Sequence, residues 1–136
     1  KYPNVAYEDS LEFVNKFSSD YYFGIVSSTD TDKLIQDIRV TGYDIEHFFD
    51  IQGSDKTTAH KPDPDVFNPI IKKLGVVGIE KKEIVYIGDS LKDYYAAVGA
   101  ELRFIGLYGR TTSKKIFDSE GATCITTFNT IGNLID

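Results

Sequence analysis

The feature that most constrains this chain is the stretch Ile84-Val85-Tyr86-Ile87-Gly88-Asp89-Ser90-Leu91-Lys92-Asp93. Four apolar residues run straight into Gly-Asp, and a second aspartate follows four positions later. So short an apolar run, with β-branched Ile and Val, predicts a strand buried on both faces. Leu91 to Val98 then predicts a helix, with Gly99 as its stop. Asp89 thereby falls at the carboxyl end of a parallel strand, where open α/β sheets bind ligands. Asp93 lies one helical turn further on, turned back toward Asp89. Two carboxylates so placed repel each other unless a cation or a lysine sits between them. A hard cation such as Mg2+ takes oxygen ligands of this kind and usually brings a phosphate with it.

The rest of the chain alternates in the same way. Strands are predicted over 21–26, 48–51, 102–107 and 124–125, and helices over 7–17, 31–41, 62–75, 113–119 and 128–135. In the first helix Leu11, Phe13, Val14 and Phe17 form the apolar side; in the second Leu34, Ile35 and Ile38 point inward. Pro64 suits a first helical turn, whereas Pro69 should cost its helix a hydrogen bond or kink it. Strands alternating with helices imply a three-layer, Rossmann-like α/β fold, a parallel sheet with helices on both faces, in one domain over 1–136.

Composition narrows the function classes. A net charge of −6 weighs against nucleic acid or an anionic membrane surface as the main partner. Cys124, the single cysteine, excludes an internal disulfide, is expected in the core, and fits a reducing, cytoplasmic setting. No apolar run approaches the ~20 residues of a membrane helix. The chain has no methionine and opens Lys1-Tyr2-Pro3, which reads as a piece of a longer polypeptide.

Three strand ends carry chemistry. The first runs into Ser27-Ser28-Thr29, offering hydroxyls and, at the following helix start, backbone N–H groups for an anion. A polar loop after the second leads to His60-Lys61-Pro62-Asp63-Pro64, and the third carries Asp89 and Asp93. Hydroxyl, lysine and paired aspartates, in that order, resemble the second, third and fourth motifs of the haloacid dehalogenase-like superfamily. Tyr2-Pro3-Asn4-Val5 is similar to that family's entry into the body of the fold. Lys61-Pro62-Asp63-Pro64-Asp65-Val66-Phe67 is close to the phosphoglycolate-phosphatase and β-phosphoglucomutase branch.

The resemblance implies a Mg2+-dependent phosphatase acting on a small phosphorylated metabolite, with a phosphomutase as a variant on the same chemistry. Ser27 would hydrogen-bond a phosphoryl oxygen beside the Ser28 N–H. Lys61 would neutralise phosphoryl charge and bridge to Asp93; Asp89 would bind Mg2+, with Asp93 behind it. The family's nucleophile, the first aspartate of Asp-x-Asp-Gly-Thr, has no counterpart in these 136 residues. By resemblance it belongs on a central strand N-terminal to Lys1, followed by a helical cap that selects substrate. A missing N-terminal segment or a partner chain is therefore expected to fill the central strand position, and the chain alone is expected to be inactive.

Simpler readings compete. Asp30-Thr31-Asp32 has the Asp-x-Asp form but stands beyond the strand at a helix start, where aspartate caps. Asp63 and Asp65 read as helix-start residues, His60 as a bystander, and Arg110, Lys114 and Lys115 as a solvated basic patch. Two other classes stay open: a non-catalytic interaction subunit, and a phosphate- or nucleotide-binding α/β domain of convergent pattern.

Overall fold

The alternation of short apolar runs with amphipathic segments becomes alternating strands and helices in the computed structural model, which describes residues 8–127. The Tyr2-Pro3-Asn4-Val5 stretch and the helix expected over 128–135 lie outside the described residues. The chain divides into two compact units, Lys1–Thr58 and Ala59–Asp136. Every strand pairing is parallel, as an α/β fold requires. No helix among the described residues is long and apolar enough to cross a membrane.

In the first unit, helix α1 (Glu8–Phe17) buries Phe13 and Val14. The Phe13 ring packs 4.9 Å from that of Phe17 and 5.8 Å, edge-on, from that of Phe23. Strand β1 (Phe23–Val26) begins later than Tyr21, because the N–H groups of Asp20 and Tyr21 donate to the Phe17 carbonyl and close α1 in a turn. It pairs with β2 (Phe48–Gln52), placing Ile25 opposite Ile51 and Val26 opposite Gln52. Between them runs α2 (Thr31–Val40), with Ile38 buried, Leu34 and Ile35 half-buried, and Asp30 as its N-cap.

In the second unit, a 3-10 turn (Pro64–Phe67) leads into α3 (Asn68–Val76). Then come β3 (Val85–Gly88), α4 (Leu91–Gly99), β4 (Arg103–Leu107), α5 (Lys114–Ser119) and β5 (Cys124–Ile125), with strand order β3-β4-β5. Phe67 and Phe117 are the largest fully buried side chains. Burying a phenylalanine this completely contributes about 1.5–3 kcal/mol. The Phe117 ring lies against Gly106, where an added Cβ would come within 2.9 Å of it.

Several expectations change here for local reasons. Pro69 neither kinks a helix nor removes a hydrogen bond from its interior. The segment breaks at Phe67, and Pro69 falls in the first turn of α3, where a missing N–H is not needed. Among the described residues the β3 residues are half-buried, with β4 as the neighbour they pair with. Cys124 is half-buried, not core, because β5 lies at the end of the described strand order.

Gly99 is the last residue of α4, as expected, but it is not the left-handed residue of the stop. Its bare Cα lets the helix approach the Pro64 ring, and a Cβ there would sit 3.0 Å from Pro64 carbons. The stop is Glu101, at φ 64, whose N–H donates to Val98 while the Leu102 N–H donates to Ala97. A β-carbon in this left-handed conformation costs about 1–2 kcal/mol. The exposed Lys81–Glu101 pair at 3.6 Å offsets little of that. Glu101→Gly should therefore raise the stability of the chain by roughly 0.5–1 kcal/mol, read as a higher denaturation midpoint. A lowered midpoint would show that the Glu101 side chain contributes more than its backbone costs.

Candidate active site

The end of β3 is shaped around one carboxylate. Ser90 caps α4 and accepts from the Asp93 N–H at 3.2 Å. Asp93 reaches back, its Oδ2 accepting from the Ser90 hydroxyl at 2.9 Å and from the Asp89 and Ser90 N–H groups at 3.1 Å each. This is a reciprocal capping box. It requires Gly88, because a Cβ at that position would stand 2.5 Å from the Asp93 Cβ. The Gly-Asp pair thus has a steric cause.

The other oxygen of Asp93 belongs to Lys61. Lys61 Nζ lies 2.6 Å from Asp93 Oδ1, with the two side chains only 15% and 7% exposed. The loop that delivers Lys61 contains a cis Lys61–Pro62 bond and a turn in which the Asp63 N–H donates to the His60 carbonyl. Asp63 then accepts from the Asp65 N–H, confirming it as a cap; His60 itself is exposed.

Tyr86, on β3, completes the group. Its hydroxyl accepts from Lys61 Nζ at 3.1 Å and donates to Asp93 Oδ1 at 3.4 Å. Its ring stands edge-on to Phe67 at 4.7 Å. Sequence reading did not single out Tyr86. The available signal was its chemistry: a phenol in an apolar strand needs a partner for its hydroxyl.

These charges are held firmly. Burial disfavours the Lys61 cation, but the Tyr86 oxygen and the Asp93 carboxylate outweigh it and keep the amine above the ordinary lysine range. Burial likewise works against the Asp93 anion, and Lys61 together with the Ser90 donors pulls its carboxyl below the ordinary range. Burial pushes the Tyr86 phenol up to about 12, so it remains a donor.

Asp89 is half-buried, and among the described residues no side chain or backbone donor engages its carboxylate. Its carbonyl accepts from the Thr111 hydroxyl at 2.7 Å, a clasp that the sequence did not signal. No group of three or more His, Cys, Asp or Glu among the described residues could hold a metal ion. Mg2+ prefers six oxygen ligands. Asp89 supplies one protein carboxylate, and Asp93 is committed to Lys61, so these residues do not by themselves make a Mg2+ site. Lys114 of the basic patch pairs with Asp118 at 2.7 Å, an exposed ion pair consistent with a solvated surface.

Ser27 and Ser28 close β1 in the first unit. The Ser27 N–H donates to Gln52, and its Oγ accepts from the Thr29 N–H at 3.1 Å, leaving the hydroxyl hydrogen to donate outward. Among the described residues no group accepts from the Ser28 N–H. The start of α2, by contrast, is not open to an anion as expected. Thr31 N–H donates to Asp55 Oδ1 at 2.7 Å, and Lys33 N–H to Asp30 Oδ2 at 3.4 Å. Thr31 bonds hold the Asp55 carboxyl below the ordinary range. The Gly53 N–H donates to Thr31 Oγ1, and the Ser54 N–H to the Thr29 carbonyl, lacing the loop after β2 to the loop after β1. An internal carboxylate occupies the position proposed for a ligand.

The sequence pattern of the haloacid dehalogenase-like hydrolase family matches residues 4–107. The chain is 33% identical over 104 residues to pyrophosphatase PpaX of Listeria welshimeri, covering 76% of this chain and 46% of that protein. It is 33% identical over 85 residues to a phosphoglycolate phosphatase of Photorhabdus laumondii, covering 62% of this chain and 35% of that protein. A Bacteroides fragilis structure described as a haloacid dehalogenase-like hydrolase superposes with a TM-score of 0.81 at 25% identity, over 92% of this chain and 59% of that one. The chain spans less than half the length of the curated relatives it matches.

The Lys61–Asp93 pair makes stability depend on pH in a defined way. The Asp93 contribution is present above the ordinary carboxylate range and is lost as pH falls through its lowered folded value. The Lys61 contribution is present below the ordinary lysine range and is lost as pH rises through its raised folded value. Asp93→Asn should thus cost about 3–5 kcal/mol between about pH 4 and pH 10, by leaving a buried ammonium unpaired. Below about pH 4 the gap from the parent should narrow. A gap that stays the same as pH falls below about 4 in denaturant titrations would assign the loss to shape rather than charge.

Proposed function

The chain belongs to the haloacid dehalogenase-like hydrolases, and from that membership and its buried lysine–aspartate pair we propose that the whole protein is a cytoplasmic phosphate-monoester hydrolase. The observation that carries the reading is Lys61, fixed 2.6 Å from Asp93 at the end of the strand that presents the uncommitted carboxylate of Asp89. A cation held so rigidly cannot swing away to bulk water, and a phosphoryl group gains from preorganised positive charge where negative charge accumulates.

In this reading an aspartate on chain preceding residue 1 attacks phosphorus, forming an aspartyl-phosphate while the alcohol leaves with a proton from a neighbouring carboxylic acid. Water then cleaves the acyl phosphate, returning the carboxylate and releasing inorganic phosphate. Ser27 donates its hydroxyl, and Ser28 its N–H, to phosphoryl oxygens. Lys61 neutralises charge on the phosphoryl group and the nucleophile. Asp93 does not react; it holds Lys61 and the backbone of Asp89 in place.

Mg2+ is the proposed cofactor, with Asp89 as its ligand from this chain and the remaining donors from the preceding segment. When bound, it would draw charge from the phosphoryl oxygens. The substrate class is a small phosphorylated metabolite. The two curated relatives are named for pyrophosphate and for phosphoglycolate; phosphoglycolate belongs in the panel with sugar phosphates and an aryl phosphate.

With the intact protein and Mg2+, at least one of these should be hydrolysed, and Lys61→Met should reduce kcat/KM by roughly 10²–10³-fold, the usual loss of one preorganised electrostatic partner. The 136-residue chain alone should show no turnover and weak Mg2+ binding by calorimetry. Ordinary turnover by the short chain would contradict the reading and return Asp30 as a candidate nucleophile.

A further inference from the structure

We propose that Tyr86 is a positioning residue, whose hydroxyl fixes the direction of the Lys61 ammonium by accepting from it while donating to Asp93. This rests on the phosphatase reading for its consequence in turnover, but the geometry stands independently of it. An ammonium has three hydrogens and no acceptor. One goes to Asp93 Oδ1 at 2.6 Å and one to the Tyr86 oxygen at 3.1 Å. The phenol passes its own hydrogen to the same Asp93 oxygen at 3.4 Å, which closes a triangle. A single carboxylate contact would leave the ammonium free to pivot about that bond. Two contacts leave one N–H, aimed in one direction.

The scaffold supports this role. Lys61 Nζ is 5.6 Å from the Tyr86 ring centroid but only 3.1 Å from the hydroxyl, so it lies off the phenol end rather than over the ring face. The hydroxyl, not the π-face, makes the contact. The ring in turn is held edge-on by Phe67, which is 1% exposed and belongs to the turn that follows the Lys61 loop. Loop and strand therefore seat the two partners against each other. Burial keeps the phenol protonated and able to serve as both donor and acceptor.

The test uses the intact protein, its Tyr86→Phe and Lys61→Met variants, and 15N-labelled lysine. In the parent, the Lys61 ammonium should give a slowly exchanging 15N–1H signal, absent from Lys61→Met, with a nuclear Overhauser contact to the Tyr86 ring. A Lys61 ammonium that exchanges as fast as surface lysines in the parent overturns the proposal, and this measurement needs no variant at residue 86 to fold. In Tyr86→Phe the ring and its Phe67 contact remain. The ammonium should exchange faster, and kcat should fall roughly 10- to 100-fold, as for loss of one hydrogen bond to a charged group, with KM within about twofold. An unchanged kcat in Tyr86→Phe, beside a collapsed kcat in Lys61→Met, overturns the positioning role and leaves the phosphatase reading standing. An unchanged kcat in Lys61→Met overturns that reading instead, and the ammonium signal still decides whether Tyr86 anchors Lys61.

Discussion

A buried ion pair, Lys61 with Asp93, is the interaction around which the second unit is arranged. Desolvating an ammonium and a carboxylate is expensive, and attraction at close range compensates only when the remaining donors and acceptors are also satisfied. That condition dictates much of what surrounds the pair. Asp93 Oδ2 is saturated by the Ser90 hydroxyl and by two backbone N–H groups, and Oδ1 by Lys61 and Tyr86. Gly88 must lack a β-carbon to admit the carboxylate. Phe67 must fill the space beside Tyr86. The cap of α4, the last residue of β3 and the loop that carries Lys61 are thereby linked through one side chain.

That arrangement separates two tasks that paired aspartates could share. Asp93 is spent on structure and on orienting a cation. Asp89, four residues earlier, has its backbone pinned by Asp93 and Thr111 while its carboxylate stays uncommitted. For the proposed role of Asp89 the pinning matters, because a carboxylate on a mobile loop loses entropy on binding a cation, whereas one on a clamped strand end has lost it in folding. The first unit follows a different logic. Asp55 takes the Thr31 N–H and Asp30 takes the Lys33 N–H, so the α2 terminus is closed by the chain's own anions. Among the described residues the hydroxyl of Ser27 and the N–H of Ser28 stay available to an external anion.

Much of this was legible because it is local. Strand-to-helix alternation, the Asp30 and Asp63 caps and the placement of Asp89 at a strand end follow from spacing over a few residues. The Lys61–Asp93 contact, 32 positions apart in sequence, was expected only through the family resemblance that the ordered motifs carry. What escaped depends on tertiary neighbours. Tyr86 reads as another apolar strand residue until Lys61 is placed against it. Thr111 and Asp55 sit in polar loops that look alike until their acceptors and donors are known. Gly99 ends α4 as glycine often does, yet what its bare Cα provides is close packing on Pro64, while Glu101 takes the left-handed position.

The central claim is that Lys61 and Asp93 act as one coupled unit rather than as two separately useful side chains. A double-mutant cycle on stability tests it most directly, with Lys61→Met, Asp93→Asn and the combined variant measured by denaturant unfolding at neutral pH. Each single change leaves a buried charge or its donors unpaired; the combined change removes both charges together. The account predicts a coupling of about 2–3 kcal/mol, so that the double variant loses clearly less than the sum of the two single losses. Additive losses, with the double variant falling by the sum of the two, would contradict it.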